Sequence, residues 1–268
     1  MSGPLPAPPS VSTSDGSRLV ISGAPTPGAV LTSDGPGAAH WAALVYGKPA
    51  DQLGSSTLLT WVHADAITGL ADGANLVSWV DSASIAARSY APILGVPKYR
   101  AVAANGKPCV DFRAGSRISC GSNGLAWSAP IGLTVFAVIN IGAAANQTLF
   151  EQQGGIEIGS TSRNLYFNRS GIVGLATSLG QLPFGWAVVV ITLTDAGTVI
   201  TFDINGMIET FNVGGNNTWG TGPAETWSLG GSLYALDAQV AEFGMYTSVL
   251  PAVEITALKD NLRHKYIG

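Results

Sequence analysis

The stretch Thr198-Val199-Ile200-Thr201-Phe202-Asp203-Ile204, then Asn205-Gly206, then Met207-Ile208-Glu209-Thr210-Phe211-Asn212 is two alternating runs joined by two residues. Asn-Gly accepts positive φ at both central positions, which a two-residue turn needs if its strands are to keep their right-handed twist. The stretch therefore reads as a β-hairpin. Short apolar runs continue outward from it, separated by Gly, Asn, Asp and Pro: Leu58–Val62, Val77–Asp81, Ala101–Ala103, Cys109–Phe112, Arg117–Cys120, Leu133–Ile141, Gln147–Gln152, Ile156–Gly159, Asn164–Asn168, Ile172–Thr177, Trp186–Leu193, Thr226–Leu229 and Ala238–Tyr246. So many short strands with regular turns predict an all-β sandwich or barrel. No repeat period is present, which excludes a solenoid or a propeller. One helix is expected, from Pro251 to about Lys265, with Pro251 at its start and Ile255, Leu258 and Leu262 facing the sandwich from outside.

Composition narrows the class of partner. Of 268 residues, 11% are charged and 46% hydrophobic, against about a quarter charged in ordinary domains. The surface must then be built from Ser, Thr, Asn, Gln, Gly and Ala, and it desolvates easily against other chains. With a net charge of -4 and 13 Lys+Arg spread thinly, nucleic acid is not expected as a partner. The longest apolar run, Trp186 to Ile191, is strand-sized, far short of the ~20 residues of a membrane span, so no membrane insertion is expected. Met1-Ser2-Gly3-Pro4 opens neither a basic n-region nor an apolar stretch, so no signal peptide is expected.

Residues 1 to about 48 differ from the rest. They hold Pro4, Pro6, Pro8, Pro9, Pro25, Pro27 and Pro36, and two short apolar stretches, Arg18–Ser22 and Ala29–Thr32. A segment like this cannot bury a core of its own. It reads as an extended attachment arm that presents Val20, Ile21, Val30, Leu31 and Trp41 to another surface. Residues 49–268 form the second domain.

Cys109 and Cys120 flank Arg113-Ala114-Gly115-Ser116. A two-residue loop would set the cysteines opposite each other. A three-residue loop would align Val110, Phe112, Ile118 and Cys120 on one face and leave Cys109 on the other. A one-residue slip flips every side chain, so the apolar pattern selects the second register and predicts two free thiols.

Several stretches resemble one family. Leu59-Thr60-Trp61-Val62-His63-Ala64-Asp65, with Asp72-Gly73 and Val77-Ser78-Trp79-Val80-Asp81 after it, resembles the opening of concanavalin A-like lectin/glucanase domains of the laminin-G-like type. Asn105-Gly106-Lys107-Pro108-Cys109-Val110-Asp111-Phe112, Leu133-Thr134-Val135-Phe136-Ala137-Val138, and Gln239 to Tyr246 with the closing helix ending His264-Lys265-Tyr266 resemble its later signatures. The resemblance spans about 58 to 268. It implies a two-sheet antiparallel jelly roll with one C-terminal helix, a fold that binds sugars, binds proteins, cleaves glycans or only builds surfaces. Pro27 to Gly37, with Trp41 after it, resembles a segment of tailed-bacteriophage fibre and head-decoration proteins, where it joins an exposed domain to the particle, commonly in trimers.

Catalytic signatures are sparse. The glycanases of this family carry Glu-x-Asp-x-Glu on one strand, which sets two carboxylates on one sheet face; that spacing is missing. Glu151 and Glu157 are the nearest pair, placed on neighbouring strands by Gly154-Gly155, and read as two solvated side chains. Gly-x-Ser-x-Gly does not occur, and Gly35-Pro36-Gly37 is a turn. His40, His63 and His264 are too scattered for zinc. Asp65, Asp72 and Asp81 lie near loops but match no calcium spacing; no metal and no cofactor is expected. Trp61 and Trp79 read as core. Trp219, in the polar loop Gly214 to Gly222, either packs under its own turn or offers a ring that, with Asn216 and Asn217, would hold a sugar.

These readings converge on a non-enzymatic structural protein of a tailed-phage virion surface, made in the host cytoplasm. Its partners would be phage capsid or tail proteins and copies of itself, a trimer first. The alternative is a carbohydrate-binding module that recognises a host-surface glycan, and a glycan-cleaving enzyme ranks third.

Overall fold

In a computed structural model the chain divides into two units, Met1–Gly47 and Lys48–Gly268. The structure describes residues 58–83, 88–113, 115–120, 132–143, 145–152, 156–169, 176–194, 199–212 and 227–268, and the strands at 11–12, 18–22, 29–35 and 38–43. In the first unit, β1 (Val11–Ser12), β2 (Arg18–Ser22), β3 (Ala29–Gly35) and β4 (Ala38–Ala43) make one sheet in the order β1-β2-β4-β3. β2 and β4 run parallel with Val20 opposite Ala38; β3 and β4 run antiparallel with Leu31 opposite Trp41. The backbone groups of these strands find partners in one another.

The second unit is an all-β sandwich of two antiparallel sheets. The first takes β8 (Lys98–Ala104), β9 (Lys107–Asp111), β11 (Leu133–Ile141), β16 (Trp186–Leu193), β17 (Val199–Ile204), β18 (Met207–Asn212) and β20 (Ala238–Tyr246). Their order is β18-β17-β16-β11-β20-β9-β8, and β5 (Leu58–His63) also pairs with β20. The second takes β6 (Trp79–Val80), β7 (Ser89–Leu94), β10 (Arg117–Ser119), β12 (Asn146–Gln152), β13 (Ile156–Thr161), β14 (Asn164–Arg169), β15 (Ala176–Gln181) and β19 (Trp227–Leu229). Its order is β15-β14-β13-β12-β19-β10-β7-β6.

The apolar pattern explains which strands are central. Leu133, Val135, Ala137 and Ile139 of β11 pack between the sheets, while Phe136 and Val138 pack on the outer side. A strand buried on both faces loses its alternation and reads as one apolar run, as β11 and β16 do. Phe136 lies opposite Gly244 on β20. A Cβ there would fall 2.3 Å from the Phe136 ring, so only glycine fits.

What covers that outer side is α1 (Ala252–Tyr266), with Leu258, Leu262 and Tyr266 buried and Ile255 packed partly against the same cluster. Each such leucine contributes ~1.5–3 kcal/mol by leaving water. The helix is also pinned at its C-terminal end. Glu242, buried on β20, accepts hydrogen bonds from Trp61 Nε1 at 2.8 Å, Lys265 Nζ at 3.0 Å and the Tyr266 hydroxyl at 2.8 Å. Asp65 takes Lys265 at 2.8 Å and the Tyr266 hydroxyl at 3.1 Å. Burial pushes the Asp65 carboxyl up, but hydrogen bonds from His63 and Lys265 outweigh it and hold the group below the usual carboxylate range.

Two sequence expectations change. Val110, Phe112, Ile118 and Cys120 do share the inter-sheet core, Cys109 lies in the cluster beneath α1, and neither cysteine is in a disulfide. Yet no hairpin joins them: β9 pairs with β8 and β20, β10 with β7 and β19, so the chain crosses from one sheet to the other between Asp111 and Arg117. Facing sheets point at the same core, so the crossing preserves the in/out pattern of a hairpin. The sequence reading did not include β7, whose Pro92 cannot donate to a ladder. In the structure Pro92 sits opposite Ile118 beside a shift of register.

Candidate functional site

The outer face of the second sheet carries a row of polar residues in register across five strands. Asn168 lies opposite Glu157, Glu157 opposite Glu151, Glu151 opposite Ser228, and Ser228 opposite Ser119. Their neighbours Ile156, Ile158, Phe150, Trp227, Leu229 and Ile118 point the other way, into the core, so the alternation of the strands turns this row outward. Like charges directly opposite on neighbouring strands repel, and the surroundings show how the pair is tolerated.

Glu151 accepts hydrogen bonds from the Ser232 backbone N–H at 2.6 Å and the Ser232 hydroxyl at 2.7 Å. It also pairs with Arg117 Nη2 at 3.3 Å. The same Arg117 nitrogen donates to Ser228 Oγ at 2.8 Å. Among the described residues Glu157 accepts from neutral donors, Thr148 Oγ1 at 2.8 Å and the Tyr166 hydroxyl at 2.7 Å. Burial first, and the Glu157 carboxylate next to it, push the Tyr166 hydroxyl well above its ordinary pKa, so it stays a donor. Among the described residues Arg117 pairs with Glu151 and no cation pairs with Glu157, so the row keeps a negative surplus there.

Two glycines make the site possible. Gly159 lies between Thr148 and Tyr166, and a Cβ on it would fall 2.5 Å from the Tyr166 hydroxyl. A Cβ on Gly231 would fall 2.4 Å from Thr148 Oγ1. The loop after β19 is fixed over the row: Tyr234 O accepts from Thr148 N at 3.3 Å and Gly231 N at 2.9 Å, while Ser232 is held by Glu151. Pinned in this way, the loop leaves Tyr234 44% and Leu233 82% exposed.

The other sequence candidates are dispersed. Asn216, Asn217 and Trp219 lie outside the described residues, as do the side chains of Val20, Ile21, Val30, Leu31 and Trp41. Trp61 and Trp79 are both buried, but on opposite sides of the first sheet. Asp65 belongs to the helix lock, Asp72 accepts from Ala101 N at 2.9 Å, and Asp81 takes Thr60 Oγ1 at 2.7 Å with Arg88 beside it at 3.5 Å. These aspartates do not converge. His63 stacks on Trp61 with ring centroids 4.3 Å apart. The reading of Glu151 and Glu157 as merely solvated is corrected, since both are bound by specific partners. Arg117, Tyr166, Ser232 and Tyr234 escaped the sequence analysis because they come from four separate segments.

No family model and no curated protein matches the chain. Solved structures match its fold. The binding domain of botulinum neurotoxin serotype D matches with a TM-score of 0.55 at 12% identity, over 76% of this chain and 51% of that one. The binding domain of botulinum neurotoxin DC in complex with rat synaptotagmin II matches at 0.52 and 12%, over 77% and 52%. The botulinum neurotoxin type G receptor binding domain matches at 0.51 and 10%, over 76% and 51%. The chain therefore spans about half the length of these structures. The likeness is one of architecture, a β-sandwich compatible with a lectin-like jelly roll.

Proposed function

We propose that the sandwich unit is a non-enzymatic recognition module that binds carbohydrate on the outer face of its second sheet. The observation that carries this reading is the exposed Tyr234 ring, held by a pinned loop beside Glu151, Glu157 and Arg117. A sugar offers apolar C–H faces to such a ring and hydroxyl edges to such acceptors and donors. Groups fixed before the ligand arrives lose little entropy on binding. Matched structures that are themselves binding domains add that this architecture admits a recognition role.

The carboxylate pair is read as binding rather than catalytic. Glu151 is engaged by Ser232 and Arg117, and Glu157 by Thr148 and Tyr166, whereas a general acid and its partner must exchange protons with the substrate. Display on a virion surface, attachment through the N-terminal unit and a homotrimer draw on the 27–41 segment and the low charge alone, so recognition is placed first. Calorimetric titration with neutral oligosaccharides tests the reading. Tyr234→Ala is expected to weaken binding about tenfold, the ~1.5 kcal/mol of a well-stacked ring. No binding by the wild type, or equal binding by the variant, overturns it. Release of reducing sugar by the wild type would make the protein an enzyme.

A further inference from the structure

The turn between β13 and β14 is Ser162-Arg163, and both residues hold positive φ, 49° and 72°. Asn-Gly is the pair that relieves such a turn; two side-chain-bearing residues of other types hold it under strain. What the strain positions is the Arg163 side chain. Its Nε donates to Leu182 O at 2.9 Å, and Nη2 donates to the same carbonyl. Leu182 N in turn donates to Arg163 O at 2.9 Å, which clasps the turn to the segment after β15. The guanidinium carbon sits 3.7 Å from the centroid of the Phe184 ring, and Phe184 is 92% exposed.

Arg163 makes no ion pair among the described residues, and its Nη1 no hydrogen bond there. Arg88, Arg100, Arg117, Lys259 and Lys265 all have carboxylate partners. In a chain of net charge -4 this is a fixed, stacked and unneutralised cation next to an open aromatic face. Its planar N–H donors match the oxygens of a carboxylate or a sulfate, and the ring matches the apolar face of a sugar.

We propose that Arg163 and Phe184 form a subsite for the anionic group of an acidic saccharide. The proposal rests on the carbohydrate-recognition reading and extends it along β14. Tyr166, at the polar row, is three residues from Arg163, which closes the turn before β14, ~10 Å at strand rise. The subsite requires that the turn carry the Arg163 guanidinium to the outer face, where an oligosaccharide lying along β14 meets both. The negative surplus at Glu151 and Glu157 keeps the anionic group out of the row, so it is sorted to the Arg163 end.

The test uses the full chain and three hexasaccharides: chitohexaose, which is uncharged, a hyaluronan hexasaccharide, which carries carboxylates, and a carrageenan hexasaccharide, which carries sulfates. At least one anionic probe is expected to bind, and more weakly as salt is raised. R163G is expected to weaken it tenfold or more with chitohexaose binding unchanged, and F184A is expected to weaken it several-fold. R163G suits the turn and F184A removes an exposed ring, so melting temperatures near the wild type will show both variants folded. Anionic binding that is unchanged in R163G and F184A overturns the proposal. So does a wild type that binds chitohexaose and neither anionic probe. Arg163-dependent anionic binding without any Tyr234-dependent neutral binding would instead overturn the reading of the row and keep this subsite.

Discussion

Among the described residues, three hairpins close through two residues at positive φ. Two do so with Asn-Gly, at Asn105-Gly106 (48° and 74°) and Asn205-Gly206 (53° and 92°), and the third with Ser162-Arg163. The first two use the residue pair that takes such φ without strain. Asn205-Gly206 is also tied into the fold: Gly206 N donates to Asp203 Oδ1 at 2.7 Å, Asp203 pairs with Lys259, and Arg263 of α1 donates to Asn205 O. The Ser162-Arg163 turn presents its arginine against an exposed ring. The same backbone geometry thus serves packing in one place and, in our reading, ligand contact in the other.

That contrast can be broken by substitution, and the largest effect should come from beneath the helix. Leu258→Asp buries an unpaired charge and should release α1, and with it the Arg263 contact to the Asn205 turn. A loss above ~4 kcal/mol is expected, read as loss of soluble protein or of a cooperative melt. An unchanged melting temperature would show that the helix does not hold the turn.

Next in size is Gly206→Ala. A Cβ there meets Arg263 Nη2 at 3.1 Å and must adopt a φ of 92°, for ~1–2 kcal/mol in chemical denaturation.

Asp65→Asn tests the far end of the same helix. The folded carboxyl titrates below its ordinary value, so its contribution is present above pH ~4 and is lost as pH falls through the lower folded value. The variant should be less stable than the wild type at pH 7, and the gap should narrow below pH ~4. A gap that is constant with pH would remove the charge from the argument.

The smallest effect is reserved for Arg163→Gly, expected within ~0.5 kcal/mol of the wild type. Relief of the strained φ offsets the lost contacts to Leu182 and Phe184. A large destabilisation there would mean that this arginine serves packing as well.

The sequence was most legible where a local rule had one solution. Asn205-Gly206 between alternating runs specifies its hairpin, and Leu258 and Leu262 specify the buried face of α1. Cys109 and Phe112 show the limit: their faces were read correctly and their strand partners were not, because a side chain's direction does not reveal which sheet its strand joins. The polar row was less legible still. Glu151 and Glu157 stood out as a pair, but Arg117 read only as the first residue of a short strand, and Ser232 and Tyr234 as part of the stretch between two strands.

Chain chemistry by itself determined a β-rich architecture of low surface charge, the closing helix, and two thiols on opposite faces. These follow from periodicity, turn residues and composition, which act over a few residues at a time. Only the tertiary structure decided that the chain changes sheets after Asp111, that Glu151 and Glu157 share a face with Arg117 and Tyr166, and that Arg163 reaches Phe184. Those contacts join residues 9 to 111 apart in sequence or oppose strands through a sheet register. The pairing is settled by the burial of the whole core, which no local pattern encodes.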